Sequence, residues 1–175
     1  MWGDKQTEFF YNLTPDQILQ AIEEQGHSPT GRFFQLNSLE NRVYEIEIAV
    51  DEETLQSESD RFLIAKFYRP GRWNQNQINE EHDFMHELVD IELPVIAPIK
   101  NGNQSLFFSQ SLQLYYCLYK KCSGRNPDEI PDQDWQQIGR LLGRMHQRGK
   151  AKKFEHRLKL TPEQYLKVNF ASLIQ

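Results

Sequence analysis

Cysteine is scarce in this chain. Only Cys117 and Cys122 occur among 175 residues. Five positions apart in an extended segment, they stand roughly 16 Å from each other, beyond disulfide reach. Neither C-x-x-C nor a zinc-type spacing is present. This usage fits a reduced chain, and a cytoplasmic location is expected. Long apolar runs are also missing. The longest apolar-rich stretch, Leu112 to Tyr119, falls far short of the roughly 20 residues that span a bilayer. The start, MWGDKQTEFF, carries Asp4, Lys5 and Glu8 and no apolar stretch, which reads against a secretory leader. There is no excess of positive charge: the net charge is −5, so neither nucleic acid nor an anionic membrane is expected as a partner. No repeat and no low-complexity tract interrupts the chain.

A hydrophobic share of 38% suffices for a core, and the length suits one domain or slightly more. Thr14-Pro15-Asp16-Gln17 combines an N-cap, a first-turn proline and a capping-box glutamine. Ile18, Ala21 and Ile22 follow at helical spacing, with Gly26 as a stop. Three strands come next. Phe33 to Leu36 is short; Val43 to Val50 alternates, with Tyr44, Ile46 and Ile48 on one face; Arg61 to Tyr68 is apolar on both faces, as a central strand is. The polar stretch Asp51 to Asp60 reads as a surface turn between the last two. A helix is predicted over about Asn76 to Val89. After the Asn101-Gly102 turn, Leu106 to Phe108 and Leu114 to Tyr119 read as strands. Residues 122–131, rich in Gly, Pro and charge, read as a hinge. Beyond it Trp135, Ile138, Leu142 and Met145 form the apolar stripe of a helix ending near Gly149, and Thr161-Pro162-Glu163-Gln164 repeats a helix-start signal.

Two charged residues sit where apolar ones are expected. Period 2 places Lys66 on one face with Phe62, Ile64 and Tyr68. An ammonium there needs water or an anion. In the helix that follows, Glu81 lies three after Ile78 and four before Met85, on the core-facing stripe, while Glu80 is rotated away. The pair reads either as a structural ion pair or as a lysine held to grip phosphate oxygens. Ahead of the lysine strand, Leu36-Asn37-Ser38-Leu39-Glu40-Asn41-Arg42-Val43-Tyr44 forms a tight polar loop between two strands. Such loops can lay backbone N–H groups over phosphates, although this one contains no glycine.

Together these segments resemble the bacterial stress response kinase A family, which belongs with the aminoglycoside phosphotransferase-like kinases. The likeness rests on LNSLENRVYEIE, on LIAKFYRPGRWNQNQINEEHDFMHELVDIELPVIAPI and on IGRLLGRMHQRGK. It runs from about Thr14 to Tyr165. It implies an α+β, protein-kinase-like N-terminal lobe: about five antiparallel strands and a packed helix over residues 1–121, a hinge over 122–131, and the start of a C-terminal lobe over 132–175. It also implies roles. Lys66 is similar to the third-strand lysine that contacts the ATP phosphates, and Glu81 to its helix partner, with Glu80 as fallback. Ser38 and Asn41 fall where protein kinases carry loop glycines. Val43 and Ile64 would line the adenine pocket, and Tyr119 to Cys122, including Lys121, would form the linker beside the adenine edge. The implied function is ATP-dependent phosphorylation of protein Ser/Thr hydroxyls in a stress response, with Mg²⁺ as the metal. The alternatives are a small-molecule kinase of the aminoglycoside, choline or homoserine type, and a non-catalytic nucleotide-binding module.

The chemistry itself needs a carboxylate near the acceptor hydroxyl and ligands for Mg²⁺. In the family these come from an H-G-D-x-H-x-x-N loop and a later D-x-D. This chain has no His-Gly-Asp, and Asp132-Gln133-Asp134 reads as helix-start chemistry. The base aspartate and the Mg²⁺ ligands are therefore expected beyond Gln175, the last residue of the sequence. No catalytic residue and no metal ligand is assigned within the chain, and residues 1–175 alone are expected not to transfer phosphate. His82 and His86, four apart, read as helix-surface histidines rather than a metal pair. Arg140, Arg144 and Arg148 read as a solvated helix face, and Trp73 as an anchor for the loop after the lysine strand.

Overall fold

The computed structural model describes residues 10, 13–124, 129–163 and 166. Helix α1 (Pro15–Glu23) precedes β1 (Pro29–Leu36), β2 (Arg42–Ile48) and β3 (Phe62–Phe67). Helix α2 (Gln75–Asp90), β4 (Phe107–Ser109), β5 (Leu114–Lys120) and helix α3 (Asp132–Ala151) follow. The strands form one antiparallel sheet in the order β1-β2-β3-β5-β4, so the lysine strand is central. Of the expected hinge, residues 125–128 lie outside the described residues. So do Gln164 and Tyr165 of the last helix-start signal, and residues 167–175 up to Gln175, the position beyond which the base and metal ligands are expected.

α1 starts as its capping residues dictate: the Gln17 side-chain oxygen accepts the Thr14 N–H at 3.1 Å. It ends at Glu23, and the turn that follows runs to Gly26, whose φ of 82° suits a residue without a Cβ. Its apolar stripe, Ile18, Ala21 and Ile22, is fully buried against Tyr44, Ile46, Leu63, Ala65, Phe67 and Leu118. Burying each large side chain contributes about 1.5–3 kcal/mol, an upper estimate for a chain with a compact unfolded state. Tyr116 ties helix and sheet together by donating its hydroxyl to the Ala21 carbonyl at 2.7 Å.

β1 is longer than expected, beginning at Pro29 rather than Phe33. Its register shifts between Pro29 and Phe33, and its side chains are mostly exposed, so no alternation marks its first half. β4 is shifted by one residue, to Phe107–Ser109. The other boundaries agree within two or three residues, the scatter expected of element ends.

The opposite face of the sheet is only partly covered. α2 packs over its β5 end, where Ile78 joins Tyr68, Leu106 and Cys117 in a second cluster with Trp73, Tyr115 and Tyr119. Val43, Glu45, Glu47, Phe62, Ile64 and Lys66 are left half-buried. α3 carries no buried residue: Trp135 and Leu142 are exposed, and Ile138 and Met145 are half-buried.

Candidate nucleotide site

The strand register brings the candidate residues to one face. Lys66 stands opposite Val43 on one side and Cys117 on the other; Ile64 stands opposite Glu45 and Tyr119. Directly paired residues share a face, so Val43, Ile64, Lys66 and Tyr119 form a patch where α2 ceases to cover the sheet. Lys66 Nζ lies 3.8 Å from Glu81 Oε1, with the two side chains 22% and 33% exposed. As a stability contribution a pair this open is worth about 0–1 kcal/mol, so packing alone gives little reason for a lysine here.

Beneath Lys66 lies a neutral polar floor. The ammonium sits 4.6 Å from the centroid of the Tyr68 ring. The Tyr68 hydroxyl meets His82 Nε2 at 2.8 Å and Cys117 Sγ at 3.4 Å, and His82 Nδ1 meets the Ser105 hydroxyl at 2.9 Å. Burial, then the charges of Lys66 and His86, pull the His82 pKa down to about 4. Burial pushes the Tyr68, Tyr119 and Cys117 pKa values up. At neutral pH these groups are all uncharged. Lys66 therefore rests on neutral groups and meets its counter-charge at Glu81, leaving the ammonium able to take a second anion on the half-covered face.

His82 departs from the expectation of a surface histidine: it is fully buried. Both its ring nitrogens are held by hydroxyls, one from the end of β3 and one from the residue before Leu106, and neither contact is visible in the local spacing. Among the described residues no group of three or more His, Cys, Asp or Glu side chains is gathered as a metal site would require.

Glu80 points elsewhere. Its carboxylate accepts the backbone N–H groups of Glu155, His156 and Arg157, the last two at 3.0 and 2.8 Å. Glu81 has a second partner that spacing did not reveal: Arg157 donates to its Oε2 at 2.7 Å. The guanidinium also lies 4.4 Å from the centroid of the Trp73 ring.

The loop between β1 and β2 is held by its side chains. Asn41 Oδ1 accepts the Arg69 N–H at 3.3 Å, and Glu40 pairs with Arg72 at 2.7 Å. Asn41 thus fastens the loop, while Ser38 is exposed within it. The turn that carries Arg72 depends on Gly71, whose φ is 74°. Lys121 is engaged across the sheet, 2.9 Å from Glu45 and 4.1 Å from the centroid of the Phe62 ring. An open groove of about 340 Å³ runs from this pair towards Arg32 and Phe34.

The arginine stripe of α3 is partly occupied in packing. Arg144 donates to the Ile91 carbonyl at 3.1 Å, and Arg148 joins Glu87 at 3.0 Å. Asp132 and Asp134 lie in the first turn of α3, where acidic residues complement the helix dipole.

Residues 35–172 match the phosphotransferase enzyme family. The chain belongs to that family. It is 38% identical over 157 residues to stress response kinase A of Escherichia coli O157:H7, and 37% identical over the same length to the serine/threonine protein kinase RdoA of Salmonella typhimurium. Each match covers 90% of this chain and 44% of the relative, so the chain spans less than half the length of these phosphotransferases. Among solved structures it is similar to the amicoumacin kinase hAmiN in complex with AMP-PNP, Ca²⁺ and Ami, with a TM-score of 0.62, 22% identity, and coverage of 86% of this chain and 47% of that one. That likeness carries the fold: a kinase-like N-terminal lobe with a few helices attached.

Proposed function

We propose that this chain is the nucleotide-binding part of an ATP-dependent protein kinase that phosphorylates Ser/Thr hydroxyls in a stress response in the cytoplasm. The observation that carries the reading is Lys66 on the half-open face, 3.8 Å from Glu81 and resting on neutral groups. A cation so placed is poorly used for stability and well used for binding phosphate. The residues fit a nucleotide: Val43 and Ile64 offer an apolar surface beside the ammonium, and the chain after Tyr119 offers backbone groups for a base edge. Ser38 and the loop fastened by Asn41 would lie near the phosphates, and Lys121 would contribute through its backbone. When bound, ATP supplies the phosphoryl group. Mg²⁺, its catalytic partner, would draw its ligands, like the base for the acceptor hydroxyl, from sequence beyond Gln175.

The domain reading follows: a small lobe over 1–121, a linker over 122–131 and the beginning of a second lobe over 132–175. The unburied apolar side of α3 supports it, because such a stripe needs a partner. The same exposed stripe weighs against a self-contained nucleotide-binding module. Identity of 37% with a relative named as a serine/threonine protein kinase favours protein acceptors over small molecules.

Calorimetric titration with a non-hydrolysable ATP analogue tests the nucleotide reading. Wild type is expected to bind, and Lys66→Met to bind at least tenfold more weakly, on the scale of a charge-assisted hydrogen bond. Equal binding by the two proteins would remove Lys66 from the site. Phosphoryl transfer by the 175-residue chain alone would contradict the placement of the base and metal ligands outside it.

A further inference from the structure

Glu81 is shared by two cations from distant parts of the chain. Its Oε1 faces Lys66 at 3.8 Å, and its Oε2 accepts from Arg157 at 2.7 Å. Arg157 belongs to a segment fastened along α2 by several independent contacts. Glu87 holds Arg148 and Lys152; Phe84 meets Phe154 edge to face at 5.3 Å; the Gln77 side chain donates to the His156 carbonyl at 3.0 Å; and Glu80 takes three consecutive N–H groups. On its other side, Arg157 shares the Trp73 ring with Arg72, which lies 5.1 Å from the ring centroid and itself holds Glu40 of the β1–β2 loop.

We propose that Arg157 is a positioning residue for Lys66. This rests on the reading of Lys66 as the phosphate grip. A carboxylate with one cationic neighbour draws it into contact; a carboxylate already engaged by a guanidinium attracts a second cation less strongly. Arg157 thereby keeps Glu81 in place and Lys66 at stand-off distance, with the ammonium free to meet an anion on the half-covered face. Because Arg157 also rests on Trp73, the same residue links the Lys66–Glu81 pair to the segment that fastens the phosphate-facing loop.

The test is affinity for a non-hydrolysable ATP analogue in the 175-residue chain, with thermal unfolding followed in parallel. Arg157→Gln is expected to weaken binding about fivefold, the scale of a partly exposed ion pair. Arg157→Leu keeps apolar contact with Trp73 and is expected to give the same loss, while Arg157→Lys stays within about twofold of wild type. Glu87→Gln releases Arg148 and Lys152 from α2 without touching Glu81 or Arg157; it is expected to lower Tm and change affinity less than about twofold. In a Glu81→Gln background, Arg157→Gln is expected to add nothing. Wild-type affinity in both Arg157→Gln and Arg157→Leu, or an equal loss in Glu87→Gln, overturns the positioning role while leaving the nucleotide site standing. Absence of binding by wild type, or undiminished binding by Lys66→Met, removes the nucleotide reading and this inference with it.

Discussion

Lys66 and Lys121 stand on the same face of the same sheet, each with a glutamate partner, yet the two pairs are built differently. Lys121, just past β5, reaches across β3 to Glu45 of β2 at 2.9 Å and covers the Phe62 ring. Lys66 is 3.8 Å from Glu81, which comes from a separate helix and is shared with Arg157. The first is a closed contact that uses its charge locally. The second leaves part of the ammonium's capacity unspent, at the margin of α2's cover. Identical residue types at similar exposure thus separate by the slack in the pair. The contrast extends through the sheet: the face towards α1 is buried and filled with Tyr44, Ile46, Phe67 and Tyr116, whereas the other mixes apolar and charged residues.

The sharpest way to test that division is to truncate both faces. Phe67 is fully buried and stacks on Tyr116 at 5.4 Å. Phe67→Ala is expected to cost about 3–5 kcal/mol in denaturant unfolding, and Val43→Ala, half-buried on the open face, less than about 1.5 kcal/mol. Comparable costs would mean that both faces are core.

The neutral floor under Lys66 has a pH signature. His82 titrates at about 4 in the folded chain and near 6.5 when unfolded, so the unfolded chain binds the proton first. Stability is therefore expected to fall as pH drops, by about 2 kcal/mol between pH 6.5 and 4.5, and to change little above pH 7. Thermal unfolding over that window measures it. His82→Gln should flatten the slope; an unchanged slope would assign the titration to another group.

The two lysines can then be separated by function. Lys66→Met is expected to cost at least tenfold in nucleotide affinity and less than about 1 kcal/mol in stability, whereas Lys121→Met should lose less affinity than Lys66→Met and up to about 1 kcal/mol of stability. Calorimetry and unfolding on the same samples decide; equal affinity losses would erase the distinction. The smallest effect is expected at the loop fastener. Arg72→Gln, removing the exposed pair with Glu40, should lower affinity about twofold, through a loop less well held.

Much of this molecule follows from local rules. Period 2 in Val43 to Val50 set Tyr44, Ile46 and Ile48 inward, and each is buried. The position of Glu81 on α2, between Ile78 and Met85, set it towards Lys66 and turned Glu80 away. Both results depend on side-chain direction along a regular element, which a single strand or helix already defines. The irregular first half of β1 left no such period to read.

Contacts between distant elements are another matter. The burial of His82 needed Tyr68 and Ser105, 14 and 23 positions away. The Glu81–Arg157 pair spans 76 positions and forms only because α3 runs back along α2. The alternation of residues along β2, β3 and α2 determined which face each charge occupies; the packing of α3 and its following segment on α2 decided how Glu81 divides its charge. A local period fixes direction along one element, whereas the distance between charges on different elements depends on how the whole chain closes.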